Sequence, residues 1–268
     1  MISLTHVIII ALIQGLTEFL PVSSSAHLIA IPKYLGWPQQ GQLIDVAVHF
    51  GTLGAVVVYF WRDLAAIIKD IFNWKLRSSR VGRVLFLQLV IATIPAVVAG
   101  AFINYLTLDM SQSLTLIAWS SIIFGSILYL ADCMSSKVLS VENMTYSKAL
   151  FVGIIQVFAF IPGASRSGSC LTALRLLGIN RSDSVRYSCL MSIPLIFAAA
   201  TLVTYKVICI EHLEISKEAF YAVGLSFLAG LASIIFMMRW IQKGSFSIFS
   251  VYRILFGIGL LWFSTRLA

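Results

Sequence analysis

Glu18, three consecutive serines and His27 fall within the single stretch "EFLPVSSSAH" (Glu18 to His27). A carboxylate, hydroxyls and an imidazole so close together can hold a hard cation, present a nucleophile and move a proton. Gln14 stands four residues before Glu18, which puts the two on one helix face. An amide carbonyl and a carboxylate there suit Mg²⁺ or Ca²⁺, which take carboxylate, carbonyl and phosphate oxygens together. Ser24 and His27 are three apart, the layout of a hydroxyl nucleophile and its proton partner. Equally, His27 can protonate a departing oxygen while water attacks; the residues leave both routes open. A second cluster, "PGASRSG" (Pro162 to Gly168), holds Ser165, Arg166 and Ser167. The guanidinium of Arg166 is a planar fork of donors shaped for two phosphate oxygens. Asp45 and His49 repeat the spacing of four, where a functional pair and a structural pair weigh equally. His6 and His212 read as interfacial or loop residues.

The elements that carry these groups must lie in lipid. The chain of 268 residues is 59 % apolar and only 11 % charged, with mean hydropathy +0.95. Soluble domains are about 45–50 % apolar, and so little charge cannot cover a soluble surface of this size. The four cysteines, Cys133, Cys170, Cys189 and Cys209, show no Cys-x-x-Cys spacing and read as inert thiols. No Lys or Arg precedes Lys33, so a cleaved signal peptide with a basic start is not expected.

Six segments are long enough to cross a bilayer as helices, near 43–61, 84–105, 113–133, 185–205, 219–238 and 250–266. Residues 2–35 and 148–178 read instead as pairs of short helices broken at "PVSSSAH" and "PGASRSG". Pro21 and Pro162 account for the breaks, since proline lacks a donor and biases its predecessor away from helix. Helices this short suit re-entrant hairpins. With alternate crossings, fourteen Lys or Arg fall on one side, including Arg62 to Arg83, Arg175, Arg181, Arg186 and Arg253. Only Lys33, Lys206, Lys217 and Arg266 fall on the other, which marks the first as cytoplasmic. The net charge of +8 is therefore topogenic and speaks against a nucleic-acid partner.

The two broken segments resemble each other. "IQGLTEFLPVSSSAH" and "IQVFAFIPGASRSGS" share Ile-Gln, a proline and a serine cluster; aligned on Pro21 and Pro162, Ser24 falls opposite Ser165. Each copy is followed by three spans, and because three is odd the second enters the membrane from the opposite face. The expected fold is an all-α polytopic membrane protein with an inverted-topology repeat: six transmembrane helices plus two re-entrant helix–loop–helix pairs. It forms one integral membrane domain, 1–268, with halves of approximately 1–135 and 145–268. Such hairpins bring their tips together near the midplane. Ser23, Ser24 and Ser25 are expected to cap one helix and Ser165 and Ser167 the other, with both positive dipole ends facing an anion between them. Small residues in "GLSFLAGLAS" (224–233) permit contact with a second copy, as in a homodimer.

The motifs "QGLTEFLPVSSSAH", "DVAVHFGTLGAVVVYFWRDL" and "PGASRSG" resemble the undecaprenyl-diphosphate phosphatase family associated with bacitracin resistance. The likeness runs from the first helix to the end of the chain. It implies hydrolysis of undecaprenyl or another polyprenyl diphosphate to the monophosphate and inorganic phosphate. That reaction recycles the lipid carrier of bacterial cell-wall synthesis at a site open to the periplasm. It also implies catalytic places for Ser24, His27, Glu18 and Arg166, substrate contacts from Ser23, Ser25, Ser165, Ser167 and Gly168, and a divalent cation at Glu18 and Gln14. Gln14 stands where many relatives have Glu. Ser25-Ala26 replaces a common Thr-Gly, which predicts strain if that backbone needs positive φ, and Cys170 replaces a frequent Thr. The alternative function for such an architecture is a secondary transporter or a flippase of a lipid phosphate, which has no need of a nucleophilic serine.

Overall fold

The computed structural model describes residues 3–72, 80–106, 113–135, 139–206 and 216–267. Lys75, Arg77, Lys137, Cys209 and His212, which entered the reading of charge, cysteines and histidines, lie outside them. Eleven α-helices follow in chain order: α1 Leu4–Glu18, α2 Ser24–Leu35, α3 Gln42–Tyr59, α4 Trp61–Phe72, α5 Arg80–Tyr105, α6 Leu114–Met134, α7 Tyr146–Gln156, α8 Arg166–Leu176, α9 Arg181–Tyr205, α10 Lys217–Trp240 and α11 Ser247–Leu267. Six of them, α3, α5, α6, α9, α10 and α11, are long and apolar enough to cross a membrane. Their outward faces are apolar, as Val98, Leu228 and Leu255 show, and such a face is stable only against lipid.

Two hairpins of short helices dip between these spans from opposite sides. In the first, α1 begins beside the starts of α3 and α10, where Val7, Ile44 and Ala219 pack together. It ends at Glu18, three residues before Pro21, and α2 returns. In the second, α7 begins at the other end of the bundle, where Gln88 Nε2 of α5 donates to Met144 O. The chain tightens into a 3₁₀ turn over Val157–Phe160, passes Pro162, and α8 returns to the end it came from. The inverted, re-entrant architecture is thus as expected.

Each hairpin packs chiefly on the other half of the chain. Helix α1 lies on α10 and α7 on α5, and both contacts need glycine. A Cβ on Gly15 would come within 2.5 Å of the Ala229 Cβ, and one on Gly153 within 2.3 Å of the Ala92 carbonyl oxygen. Backbones this close pack well without a hydrophobic drive, which lipid does not provide. The small residues of 224–233 are used here: Ser226, Ala229, Gly230 and Ser233 are buried, against α1 and α3 of the same chain. Gly224 and Ala232 of the same stretch stay exposed.

Charge at the basic end of the bundle is partly internal. Asp132 at the end of α6 accepts from Arg175 Nε at 2.8 Å, from Arg181 at 2.9 Å and from the backbone N–H of Phe246 at 3.2 Å. One carboxylate so ties α6, α8, α9 and the start of α11. Arg186 pairs with Asp63, fastening the short α4 to α9. Two of the fourteen basic residues read as topogenic flanks are therefore not surface charges. Arg175 is buried in this cluster and Arg253 is wholly buried inside α11. The remaining twelve against four keep the same sign of asymmetry.

Candidate active site

The tips meet. At each, one serine takes up a left-handed backbone: Ser23 (φ 72°) and Ser165 (φ 71°), the only non-glycine residues with positive φ among those described. Each is the N-cap residue of the returning helix, and each hydroxyl lies beside that of the serine two residues on, Ser23 to Ser25 at 3.3 Å and Ser165 to Ser167 at 3.2 Å. Ser23 therefore corresponds to Ser165, as Gln14 does to Gln156 at the same offset along the chain. Alignment on the prolines was out by one residue, because the second proline falls one position earlier in its turn. The true counterpart of Ser24 is Arg166. The strained positions are Ser23 and Ser165, and not Ser25-Ala26, which lie in the first turn of α2.

Glu18 is the meeting point. Its Oε2 accepts from Ser24 Oγ at 2.8 Å and from Gln14 Nε2 at 2.9 Å, and its Oε1 accepts from Arg166 at 3.1 Å. The carboxylate is 8 % and the guanidinium side chain 12 % exposed, so this pair is held in a region of low dielectric where charge attraction is strong. Arg166 also donates to Ser188 O of α9, while its Nε has no protein acceptor. Ser167 donates to Leu20 O at 2.8 Å, a direct bond between the tips. With that proton committed, the Ser165 hydroxyl donates to Ser167 Oγ and accepts from Gly168 N–H at 3.1 Å.

A cavity of about 460 Å³ opens on this cluster. Glu18, Ser23, Ser24, Ser25, Ser165 and Arg166 line its polar floor, with His49 and Gln156 beside them. Its walls come from α5 and α9, including Val97, Gly100, Leu202 and Val203. Val97 and Leu202 are also exposed, so the walls between these helices present apolar surface. A second cavity, of about 500 Å³, adjoins it through His49, Ile196, Ala199, Leu202 and Val203. It runs past Asp45, Asn104 and Lys206 at the end of the bundle poor in basic residues. The N-termini of α2 and α8 both face the floor, and first-turn N–H groups lacking intrahelical partners favour an anion there.

Not every expected site residue is in the cavity. His27 does not face Ser24: its Nδ1 lies 2.7 Å from Ser23 O, its Nε2 lies 2.6 Å from the Tyr252 hydroxyl, and its ring stacks on Phe256. Helix spacing placed the two on one side, but the serine sits at the first turn and bends toward α1. The partner of the Ser24 hydroxyl is Glu18. Gly168 is buried under Arg253 and Ser167 is spent on the tip contact. Ser23 caps no N–H with its side chain. His49 does face the cavity, its Nδ1 held by Asp45 O at 2.6 Å, while Asp45 accepts from Gln40. Cys170 supplies a donor in place of a hydroxyl, its thiol reaching Gln156 Oε1 at 3.2 Å. Asp132, Tyr252 and Arg253 were missed. An arginine inside an apolar span was the available signal for the last.

The bacitracin resistance protein BacA family matches residues 7–259. The chain belongs to the BacA family. Among similar proteins, an undecaprenyl-diphosphatase of Ruegeria pomeroyi is 42 % identical over 97 % of this chain and 98 % of its own length. The undecaprenyl-diphosphatases of Jannaschia sp. and Campylobacter curvus are each 41 % identical with the same coverage. The cluster at Glu18 thus belongs to a BacA protein over its full extent, with Gln14, Glu18, Ser24 and Arg166 gathered at one place.

Proposed function

We propose that this multi-pass membrane protein is an undecaprenyl-diphosphatase, removing the terminal phosphate of the lipid diphosphate. Its relatives carry that name at about 40 % identity over nearly the whole chain, and membership of the BacA family ties it to bacitracin resistance. The observation that carries the mechanism is the single carboxylate of Glu18, bonded to both Ser24 and Arg166 at the floor of a cavity walled by apolar residues of α5 and α9.

In this reading the prenyl chain lies along α5 and α9 and the diphosphate meets the tips. Arg166 and the ends of α2 and α8 take the phosphoryl oxygens and stabilise the charge that develops on them, the largest contribution in phosphoryl transfer. Ser24 Oγ forms a bond to the terminal phosphorus and its proton passes to Glu18 Oε2. The bridging P–O bond breaks and the lipid monophosphate leaves as an anion, needing no proton. Water then cleaves the phosphoserine, giving inorganic phosphate and restoring the hydroxyl. The bond between Ser24 and Glu18 favours serine over water as the attacking group.

The donor set accommodates a divalent cation only in part. Gln14 Oε1 is buried without a partner four residues from Glu18, and exchanging the amide's oxygen and nitrogen would bring an oxygen to the carboxylate. No group of three or more His, Cys, Asp or Glu able to hold a metal exists among the described residues. Glu18 and Gln14 would therefore hold Mg²⁺ or Ca²⁺ jointly with the diphosphate, where it would neutralise phosphoryl charge. The second cavity, adjoining the site, lies at the end poor in Lys and Arg, supporting an active site on the periplasmic side of the bacterial inner membrane.

The test is phosphate release from undecaprenyl diphosphate by the purified protein and by Ser24→Ala. Release by the wild type and its loss in the variant are expected; lipid movement without any hydrolysis would replace this function with transport. For sidedness, Asn104→Cys should react with an impermeant maleimide in spheroplasts and Ser245→Cys should not; the reverse pattern would invert the orientation.

A further inference from the structure

Two adjacent residues of α11, Tyr252 and Arg253, each hold a different hairpin tip. Tyr252 bonds His27 Nε2 at 2.6 Å, and His27 Nδ1 in turn meets Ser23 O at 2.7 Å. A carbonyl can only accept, so the ring proton sits on Nδ1, and in the neutral ring Nε2 is left to accept from the phenol. Stacking of His27 on Phe256, one turn further along α11, fixes the ring plane. Arg253 donates through one terminal nitrogen to Gly163 O at 2.9 Å and to Ala164 O at 2.8 Å. It lies directly over Gly168, where any Cβ would come within 2.7 Å of its other terminal nitrogen. Among the described residues no acidic side chain bonds it.

The two contacts are alike in what they grip. Ser23 and Ser165 hold left-handed backbones, which strain an L-residue and persist only where the surroundings impose them. The grip falls on the carbonyl of the strained residue itself in the first tip. In the second it falls on the two carbonyls just before the strained residue. In both, the next residue in the chain is one that bonds Glu18: Ser24 after Ser23, Arg166 after Ser165.

We propose that Tyr252 and Arg253 are positioning residues for phosphate removal, a strut on α11 that sets Ser24 and Arg166 in register on Glu18. His27 acts within this strut, orienting the Ser23 peptide, and is not the group that moves a proton. This inference rests on the assigned phosphatase reaction, and the wild-type assay separates the two: hydrolysis by the wild type must be seen before the variants are read.

Tyr252→Phe keeps the ring and its stacking and removes only the hydroxyl. It should lower kcat about tenfold to a hundredfold with KM unchanged within about twofold, as a displaced nucleophile does. Thermal unfolding in detergent should stay close to wild type. His27→Asn, which can still donate to Ser23 O, should retain more activity than His27→Ala, and adding Tyr252→Phe to His27→Ala should cost nothing further. ¹⁵N spectra of histidine-labelled protein should show two rings in the Nδ1–H tautomer, His27 and His49, and in Tyr252→Phe the Nε2 signal of His27 alone should shift as it loses the phenol's hydrogen bond. For the second tip, Arg253→Lys keeps one donor and the charge and should lose activity by a similar factor. Full kcat in Tyr252→Phe, or losses in both variants that simply follow lowered unfolding temperatures, would overturn the proposal.

Discussion

Ser24 and Arg166 occupy the same place in the two hairpins, each one residue past a serine of positive φ, and both bond the carboxylate of Glu18. The repeat supplies equivalent backbones, and different side chains on them supply different chemistry. One position gives a hydroxyl, its counterpart a guanidinium. The position matching Glu18 is Phe160, which lies against Gly100 at the cavity wall, so a single carboxylate serves both tips.

Glu18→Gln should lower phosphate release about a hundredfold or more, the usual scale for losing a positioned base. It also leaves Arg166 buried without its counter-charge, worth about 3 kcal/mol of stability. Adding Arg166→Gln should restore part of that stability and none of the activity. Phosphate assays beside thermal unfolding in detergent measure both, and equal instability of the single and double variants would deny the pair its role.

The cation reading predicts that exhaustive chelation abolishes release and that Mg²⁺ or Ca²⁺ restores it. Gln14→Glu, which adds a second carboxylate on the same helix face, should lower the metal concentration giving half-maximal rate. A chelator-resistant rate would remove the cation from the mechanism.

Ser23→Gly should raise stability by roughly 0.5–1 kcal/mol, because glycine holds positive φ without strain and the Ser23 side chain caps no N–H. Ser165→Gly should gain less, since losing the hydroxyl that accepts from Gly168 N–H costs about a few tenths of a kcal/mol even when glycine replaces it. Unfolding midpoints of the two variants compared with wild type decide it, and equal gains would contradict the difference between the tips.

Gly15→Ala should destabilise by about 1–3 kcal/mol, as overpacking does, because its Cβ would meet Ala229 and the Ser226 carbonyl. Gly224→Ala, with no atom within 4 Å of its Cβ, should change stability by less than about 0.5 kcal/mol or raise it slightly. The contrast is read by thermal unfolding, and similar effects at the two sites would place the seam of α10 elsewhere.

Much of the architecture was legible along the chain. All six spans stand within a few residues of where apolar length put them, and both breaks fall at their prolines. The gathering of Gln14, Glu18, Ser24 and Arg166 followed from two polar clusters in an apolar medium. The errors were of direction and partner. His27 is on α2 as expected but turns to α11, and Arg253 looked like a flank when it is the buried grip on the second tip.

Sequence alone determined the solvent, the count of spans, the inverted hairpins and the residue types at the tips, because lipid demands long apolar runs and makes each polar interruption conspicuous. Tertiary structure decided which hydroxyl meets which base, where the backbone is strained and which helix holds the tips. The grip on the tips depends on contacts between segments more than a hundred residues apart, such as His27 with Tyr252 and Glu18 with Arg166. Even the Ser24–Glu18 bond, between residues only six apart, is not encoded by local spacing, which does not fix the direction in which a side chain turns.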